Sequence, residues 1–375
     1  MADTYKIKEL AEKYNITTRT IRFWEEKGLL DPVFRTSGNR RVYGKDSLKV
    51  IECILEYKNR GLSLDEIKSL VLCNKQKLSK KEKLPVRILL DSTSSISEEL
   101  VKKYNIDVIP LYVNINKKQF MDGFNLKEDD FYKKIEGNKK DIILTTSPAT
   151  VEDFFSHYSR LVQEGAKVIY SLHISEVFSK TVENARKAAE KFSGVKIKIF
   201  DSKTSGQALT MMALALIEKV NAGWSEDKLD TYLETLIKNN WLVVTITSLK
   251  TLNTLGLLNI NIETAFGSII SELLNFRPVL LLEKGEGVFK ILSRVETFEN
   301  ALKIMETNLK NTINGSKLKL KMLGISHSRL DNDANVLKKR LESEYKVPVL
   351  LQKGSVVLCT HLGPMSMGVN ALFEE

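Results

Sequence analysis

The chain changes rhythm near residue 80, and that change sets what it can fold into. Up to Cys73 the apolar residues recur at helical spacing, whereas beyond Pro85 short apolar runs of strand length alternate with amphipathic segments. Between them runs Asn74-Lys75-Gln76-Lys77-Leu78-Ser79-Lys80-Lys81-Glu82-Lys83, polar and Lys-rich, which reads as a linker. At 375 residues the chain also exceeds one ordinary core. The expected organisation is a first domain over 1–73, a linker over 74–85 and a larger region over 86–375, the last in two lobes of approximately 86–242 and 243–375.

In the larger region the spacing predicts strands at 87–90, 107–114, 141–145, 167–173, 196–201, 242–247, 279–283, 319–326 and 355–360, with helix-like stretches between most neighbours. That alternation implies α/β architecture with largely parallel sheets. In the first domain Ile7, Leu10, Ala11 and Tyr14 share one helical face. A second helix is expected from Thr17, an N-cap type residue, to Gly28, which stops it. Its first turns display Thr18, Arg19 and Arg22, at the end a recognition helix presents to base edges. Phe34 to Tyr43 combines a Ser37-Gly38-Asn39 turn with Arg35, Arg40 and Arg41, as a hairpin wing lying along phosphates would. Further helices are expected at 46–60 and 63–72.

Charge supports this division. The net charge is +10, and residues 1–85 hold 19 Lys/Arg against 12 Asp/Glu, leaving 38 against 35 elsewhere. A basic excess concentrated in the small domain is what phosphate-backbone binding requires, because neutralised phosphates release condensed counterions. The longest apolar stretch, Ala208 to Ile217, is about half the roughly 20 residues a spanning helix needs, and no signal-peptide pattern opens the chain, so a cytoplasmic location is expected. Cys53, Cys73 and Cys359 stand too far apart for a metal knuckle and are read as packing residues. No Gly-x-Ser-x-Gly elbow, P-loop or complete Gly-x-Gly-x-x-Gly is present, and no catalytic pair or cofactor motif emerges. Hydroxyl-rich turns instead follow several strands: Asp91 to Ser97, Thr145 to Pro148, Ser175 to Thr181 and Asp201 to Lys203, with His361 near the C-terminus. Such a set suits holding a carboxylate or phosphate by hydrogen bonds better than acid/base chemistry.

On the residues Ile7-Lys8-Glu9-Leu10-Ala11, Thr20 to Leu30, Asn39-Arg40-Arg41-Val42-Tyr43 and Arg60 to Ile67, the first domain resembles the MerR family of winged helix-turn-helix regulators. The resemblance implies DNA contacts from Thr18, Arg19 and Arg22 and, on the wing, from Arg40, Arg41 and Tyr43. The blander alternatives are that Arg22 pairs with Glu25 or Glu26 and that Trp24 and Tyr43 only pack; for Trp24 packing is the favoured reading. No heptad run follows Leu72, so the dimerisation helix usual in that family is missing and a homodimer is expected to form through the larger region. The effector cysteines of metal-sensing relatives are also absent, so no metal trigger is expected.

The larger region resembles the DegV family of fatty-acid-binding proteins, on Asp91-Ser92-Thr93-Ser94-Ser95, Thr145-Thr146-Ser147-Pro148, Asp201-Ser202-Lys203, Arg277-Pro278-Val279-Leu280 and Val356 to Gly363. The resemblance implies a two-lobed α/β region with an acyl chain between the lobes, its head group held by Thr145, Thr146, Ser175 and His361. Taken alone, His361 would read as a satisfied core histidine. Glu176 occupies a presumed head-group loop, where it would repel a carboxylate if it pointed inward. Family members that serve a fatty acid kinase carry two arginines where this chain has Leu257 and Glu296, which disfavours a kinase partner.

The expected function is therefore a lipid-responsive transcription regulator, not an enzyme. It would bind promoter DNA through its small domain and a long-chain fatty acid or related amphiphile through its large one, with RNA polymerase a possible partner. The alternative is a fatty-acid carrier presenting the acyl group to a kinase. A hydrolase with Ser175 as nucleophile and His361 as base is the third reading, and it lacks an orienting acid.

Overall fold

The computed structural model of the chain describes residues 5–30, 34–35, 41–59, 64, 67, 85–136, 142–247, 276–282 and 284–375. They fall in two units, Met1–Glu82 and Lys83–Glu375.

In the smaller unit, β1 (Tyr5–Lys6) leads into α1 (Ile7–Lys13), followed by α2 (Thr18–Glu26), β2 (Phe34–Arg35), β3 (Arg41–Tyr43) and α3 (Lys45–Asn59). Both ends of α2 are local chemistry. Thr17 accepts a hydrogen bond from the Thr20 backbone N–H at 3.0 Å, satisfying a donor the first helical turn leaves free. At the other end Gly28, with φ of 70°, lets its own N–H reach Glu25 O and the Leu29 N–H reach Trp24 O, both at 2.8 Å. That pair of bonds is the Schellman motif, and its left-handed residue is why glycine stands there. Leu10, Ile21, Trp24, Leu29, Tyr43, Ile51 and Ile54 form the core, and β1, β3 and β2 make a small antiparallel sheet beside it. The turn at Ser37-Gly38-Asn39 lies outside the described residues, as does most of the helix expected at 63–72. Of that helix Leu64 and Ile67 are described, and both pack on this core.

The larger unit continues with β4 (Val86–Asp91), α4 (Glu98–Tyr104), β5 (Asp107–Ile109), β6 (Tyr112–Ile115), β7 (Lys118–Met121), α5 (Glu128–Glu136), β8 (Leu144–Ser147) and α6 (Val151–Gln163). Then come β9 (Val168–His173), α7 (Thr181–Ala189), β10 (Lys196–Asp201), α8 (Gln207–Asn221) and α9 (Glu226–Lys238). The remaining elements are β11 (Trp241–Thr245), β12 (Arg277–Leu282), β13 (Phe289–Val295), α10 (Phe298–Gly315), β14 (Lys319–His327), α11 (Asp331–Tyr345), β15 (Val349–Lys353), α12 (Val356–Leu362) and β16 (Met367–Glu374).

The described residues of this unit form three sheets. The first, ordered β10-β9-β4-β5, is wholly parallel. Its apolar runs serve two cores at once: Leu89 and Ile169 face one cluster while Ile88, Leu90, Val168, Tyr170 and Leu172 face another. Strands covered on both faces read as continuous apolar segments, which is why they were legible in the sequence. The second sheet, β7-β6-β8, is antiparallel. The third, β13-β12-β11-β16-β14-β15, is antiparallel except for the β14–β15 pair.

The structure departs from the expected elements in three places. Largely parallel sheets describe only the first sheet, because β11 to β13 and β16 pair antiparallel in the third. The strand expected at 355–360 is the helix α12: Ser355 caps it by accepting from the Leu358 N–H at 3.2 Å, and Thr360 Oγ1 donates to Val356 O at 2.8 Å. The β-branched pair Val356-Val357 suggested a strand, and the cap overrides that preference. The run at 107–114 is also divided, between β5 and β6, at Pro110, which has no N–H to extend a ladder.

Candidate functional site

A cavity of about 260 Å³ opens in the larger unit against one face of the third sheet. Leu242 and Val244 of β11, Ser326 of β14, and Gly368 and Asn370 of β16 line it from that sheet. Val357, Leu358, His361 and Leu362 of α12 form another wall, and Phe178, Phe289, Leu111 and Ile174 close it with apolar surface. A lining in which a few polar groups interrupt a mainly apolar wall is that of a pocket for an amphiphile.

The main polar point is a pair of residues far apart in sequence. Thr146 Oγ1 and His361 Nε2 lie 2.9 Å apart, and both line the cavity. His361 Nδ1 is buried and has no hydrogen-bond partner among the described residues. Burial pushes the pKa of this imidazole down to about 4, so it is neutral at physiological pH and offers hydrogen bonding, not charge. Ser147, Ser179 and the exposed Lys180 also line the cavity, and Lys180 is its sole Lys or Arg among the described residues.

The other residues expected at the head group stand elsewhere. Thr145 and Thr146 are neighbours on β8, so their side chains point to opposite faces of the strand. Thr146 meets His361, whereas Thr145 Oγ1 accepts from Asn114 Nδ2 at 3.2 Å and is not part of the cavity wall. Ser175 is fully buried and also off the wall, its Oγ accepting from the Val177 N–H at 3.3 Å. A Cβ added to Gly287, whose φ is 74°, would come within 2.5 Å of Ser175 Oγ, so this glycine allows the covering chain to lie directly on the serine. His361 hydrogen-bonds Thr146 and not Ser175, so the nucleophile and base of the hydrolase reading are not brought together in the described structure.

Glu176 does not threaten a carboxylate in the cavity. It pairs with Arg186 at 3.0 Å and Lys203 at 3.1 Å, and those hydrogen bonds hold its pKa below the usual carboxylate range. A second histidine, His173, forms a Ser–His–Asp series with Ser171 Oγ at 2.6 Å and Asp91 Oδ2 at 3.3 Å. All three are fully buried and Tyr158 Oη is 2.8 Å from Ser171, so the series ties β4 to β9 away from the cavity.

In the smaller unit Arg19 and Arg22 are exposed on α2 and Thr18 is half-buried. Among the described residues no ion pair joins Arg22 to Glu25 or Glu26. Trp24 is buried in the core. Tyr43 corrects an expectation: it is fully buried and donates a hydrogen bond to Glu25, so it fastens β3 to α2 and is not placed to meet DNA. Arg40 lies outside the described residues, and of Arg41 only the backbone, at the start of β3, is described.

Ser326, Asn370 and Lys180 escaped the sequence reading. Ser326 and Asn370 sit within strand patterns that resemble any alternating strand, and Lys180 is one lysine among many in a basic chain.

His361 makes a stability prediction. Its folded-state pKa lies below the ordinary imidazole value of 6.5, so between pH 6.5 and about 4 the unfolded chain binds the proton that the folded chain refuses. Its contribution is unchanged above pH 6.5 and turns destabilising as pH falls through that window. Thermal midpoints of ligand-free protein between pH 7.5 and 4.5 should therefore drop more steeply than those of His361→Gln, and parallel curves would contradict this assignment.

Comparison with known proteins agrees with both units. A family model described as an uncharacterised protein of the DegV family matches residues 85–374, and one described as a MerR helix-turn-helix family regulatory protein matches residues 5–72. A DegV domain-containing protein of Caldanaerobacter subterraneus subsp. tengcongensis is 29% identical over 293 residues, covering 77% of this chain and 99% of that protein. One of Listeria innocua is 26% identical over 285 residues, covering 76% and 97%. A structure described as fatty acid binding of a DegV family protein from Thermus thermophilus superposes with a TM-score of 0.68 at 26% identity, covering 78% of this chain and all (100%) of that one. A DegV lipid binding protein from Thermotoga maritima shares the fold at a TM-score of 0.66 and 22% identity, covering 78% and 99%.

Proposed function

This chain belongs to the DegV family through residues 85–374 and carries a MerR-type helix-turn-helix domain at residues 5–72, and from that premise we propose that it is a transcription regulator whose DNA binding responds to a fatty acid. The observation that carries the proposal is the presence, in one polypeptide, of an exposed pair of arginines on a capped recognition helix and an apolar cavity with a neutral Thr146–His361 polar point.

In this reading the acyl chain occupies the apolar part of the cavity, where leaving water supplies the affinity. The carboxylate accepts one hydrogen bond from the Thr146–His361 pair, from Nδ1–H when Thr146 donates to Nε2 or from the Thr146 hydroxyl when Nε2–H donates to Thr146. Lys180 contributes charge to the lining of the same cavity. Because Lys180 is solvent-exposed its contribution is modest: Lys180→Gln is expected to weaken binding of a free fatty acid by up to about fivefold and to leave its methyl ester unaffected. Equal effects on acid and ester in a fluorescence competition assay would remove Lys180 from the head-group site.

Regulation then needs only that the ligand binds DNA-competent and DNA-incompetent states with different affinity. Thermodynamic linkage makes the coupling reciprocal, so operator DNA must shift fatty-acid affinity by the same factor that fatty acid shifts DNA affinity. A homodimer is part of this proposal, since paired half-sites are read by paired modules.

The deciding experiment is native mass spectrometry of the purified chain, with identification of what co-purifies, followed by promoter-fragment binding with and without that ligand. A bound fatty acid that changes DNA affinity is the expected result. A chain that takes up no fatty acid would overturn the lipid half of the proposal. DNA binding indifferent to a bound fatty acid would favour carriage of the lipid over sensing.

A further inference from the structure

The face of the third sheet that lines the cavity carries more unpaired polarity than a simple fatty acid could use. Asn370 on β16 is 1% exposed, forms part of the cavity wall, and has no hydrogen-bond partner for either Oδ1 or Nδ2 among the described residues. Gln207, the first residue of α8, is fully buried, and its Oε1 and Nε2 are likewise unpartnered among the described residues. The two carboxamides are neighbours. Asn370 pairs with Gly324 across the β14–β16 ladder, and a Cβ placed on Gly324 would approach Gln207 Oε1 to 2.8 Å. Residues directly opposite in a ladder point to the same face, so the Gln207 carboxamide fills the space above Gly324, beside Asn370.

The patch extends along the same face. Ser326, two residues from Gly324 on β14, also lines the cavity, and opposite it on β15 stands Gln352, with both its side-chain polar atoms buried and unpartnered among the described residues. Across the other ladder Ser326 pairs with Gly368, which adds no side chain to cover the hydroxyl. Buried carboxamides without partners are costly, and Asn370, which lines the cavity with Gln207 and Gln352 buried next to it on the same face, calls for a ligand group that supplies the missing bonds.

We propose that this patch is a second polar subsite, and that the cavity is built for an acyl chain bearing a hydroxyl or keto oxygen along its length. The inference rests on the reading that the cavity holds an acyl chain. A hydroxyl donates to Asn370 Oδ1 and accepts from its Nδ2, while Ser326 and Gln207 flank the contact. A keto oxygen uses the Nδ2 donor alone and is the poorer fit.

The test is direct binding of stearic acid and of C18 acids carrying one hydroxyl at successive chain positions to the delipidated full-length protein. At least one positional isomer is expected to bind about tenfold more tightly than stearic acid, the effect of restoring buried hydrogen bonds, with isomers a few carbons away losing the advantage. In Asn370→Leu the ratio of the two affinities should fall to near one, a change that loss of folded protein alone does not produce. Gln207→Leu provides the same ratio if the first variant does not fold. If every hydroxy acid binds more weakly than stearic acid, the polar subsite is overturned while the acyl reading stands. If stearic acid and its hydroxylated isomers all fail to bind, the acyl reading itself falls, and this inference with it.

Discussion

Shortening a saturated fatty acid from eighteen to twelve carbons is expected to weaken its binding by about three orders of magnitude. Each buried methylene is worth about 0.8 kcal/mol, and six of them amount to about 5 kcal/mol, with each 1.4 kcal/mol a factor of ten. The wall that produces this dependence is the apolar one: Leu242, Val244, Phe178, Phe289, Val357 and Leu362. Thr146 and His361 contribute equally to every chain length, so the series separates the chain term from the head-group term. Isothermal titration across the even-numbered acids checks it. A dependence of less than about twofold per methylene would show that the chain lies outside the cavity.

The second large effect is on DNA. Replacing both Arg19 and Arg22 with Ala is expected to reduce affinity for a specific promoter fragment by about a hundredfold or more, on the basis of about 1–3 kcal/mol for each arginine reading a base edge. Both side chains are exposed on α2, whose fold rests on Ile21 and Trp24 facing the core, so the variant keeps the helix. The salt dependence assigns the role of each residue. A single variant that lowers specific affinity without changing the slope of log affinity against log salt has lost a base contact; one that lowers that slope by about one has lost a phosphate contact. Unchanged affinity in the double variant would remove α2 as the reading element, and with it the DNA half of the proposal.

The parts of this protein that were legible beforehand share a physical property: their signals are local or periodic. Thr17 caps α2 three residues from its partner, and Gly28 ends the helix with bonds spanning five residues or fewer. Strands β4 and β9 of the first sheet read correctly because both of their faces are covered and the sequence there is mainly apolar. Where two local preferences competed, reading by composition chose wrongly. The β-branched residues after Ser355 pointed to a strand and the serine cap made a helix. Tyr43 sits among wing arginines in the sequence yet is buried with its hydroxyl on Glu25, because an aromatic ring beside a small core is drawn into it.

The candidate site follows the same division. The Thr-Thr-Ser-Pro turn and His361 were visible in the sequence as residues able to hold a head group, but the choice between Thr145 and Thr146 depended on which face of β8 meets α12. Glu176, an obstacle to a carboxylate on sequence grounds, is held by Lys203 and Arg186. Sequence alone determined the α/β character of the larger region, the capped helix α2 and the kinds of side chain available for binding, because helix caps and apolar periodicity act over a few residues. Tertiary structure alone decided that Thr146 and His361 form one polar point although 215 residues separate them, and that Asn370 stands beside Gln207. Such contacts arise from the register of β14 against β16 and the packing of α12 and α8 around it. Register and packing are set by the whole core at once, and no local stretch of sequence states them.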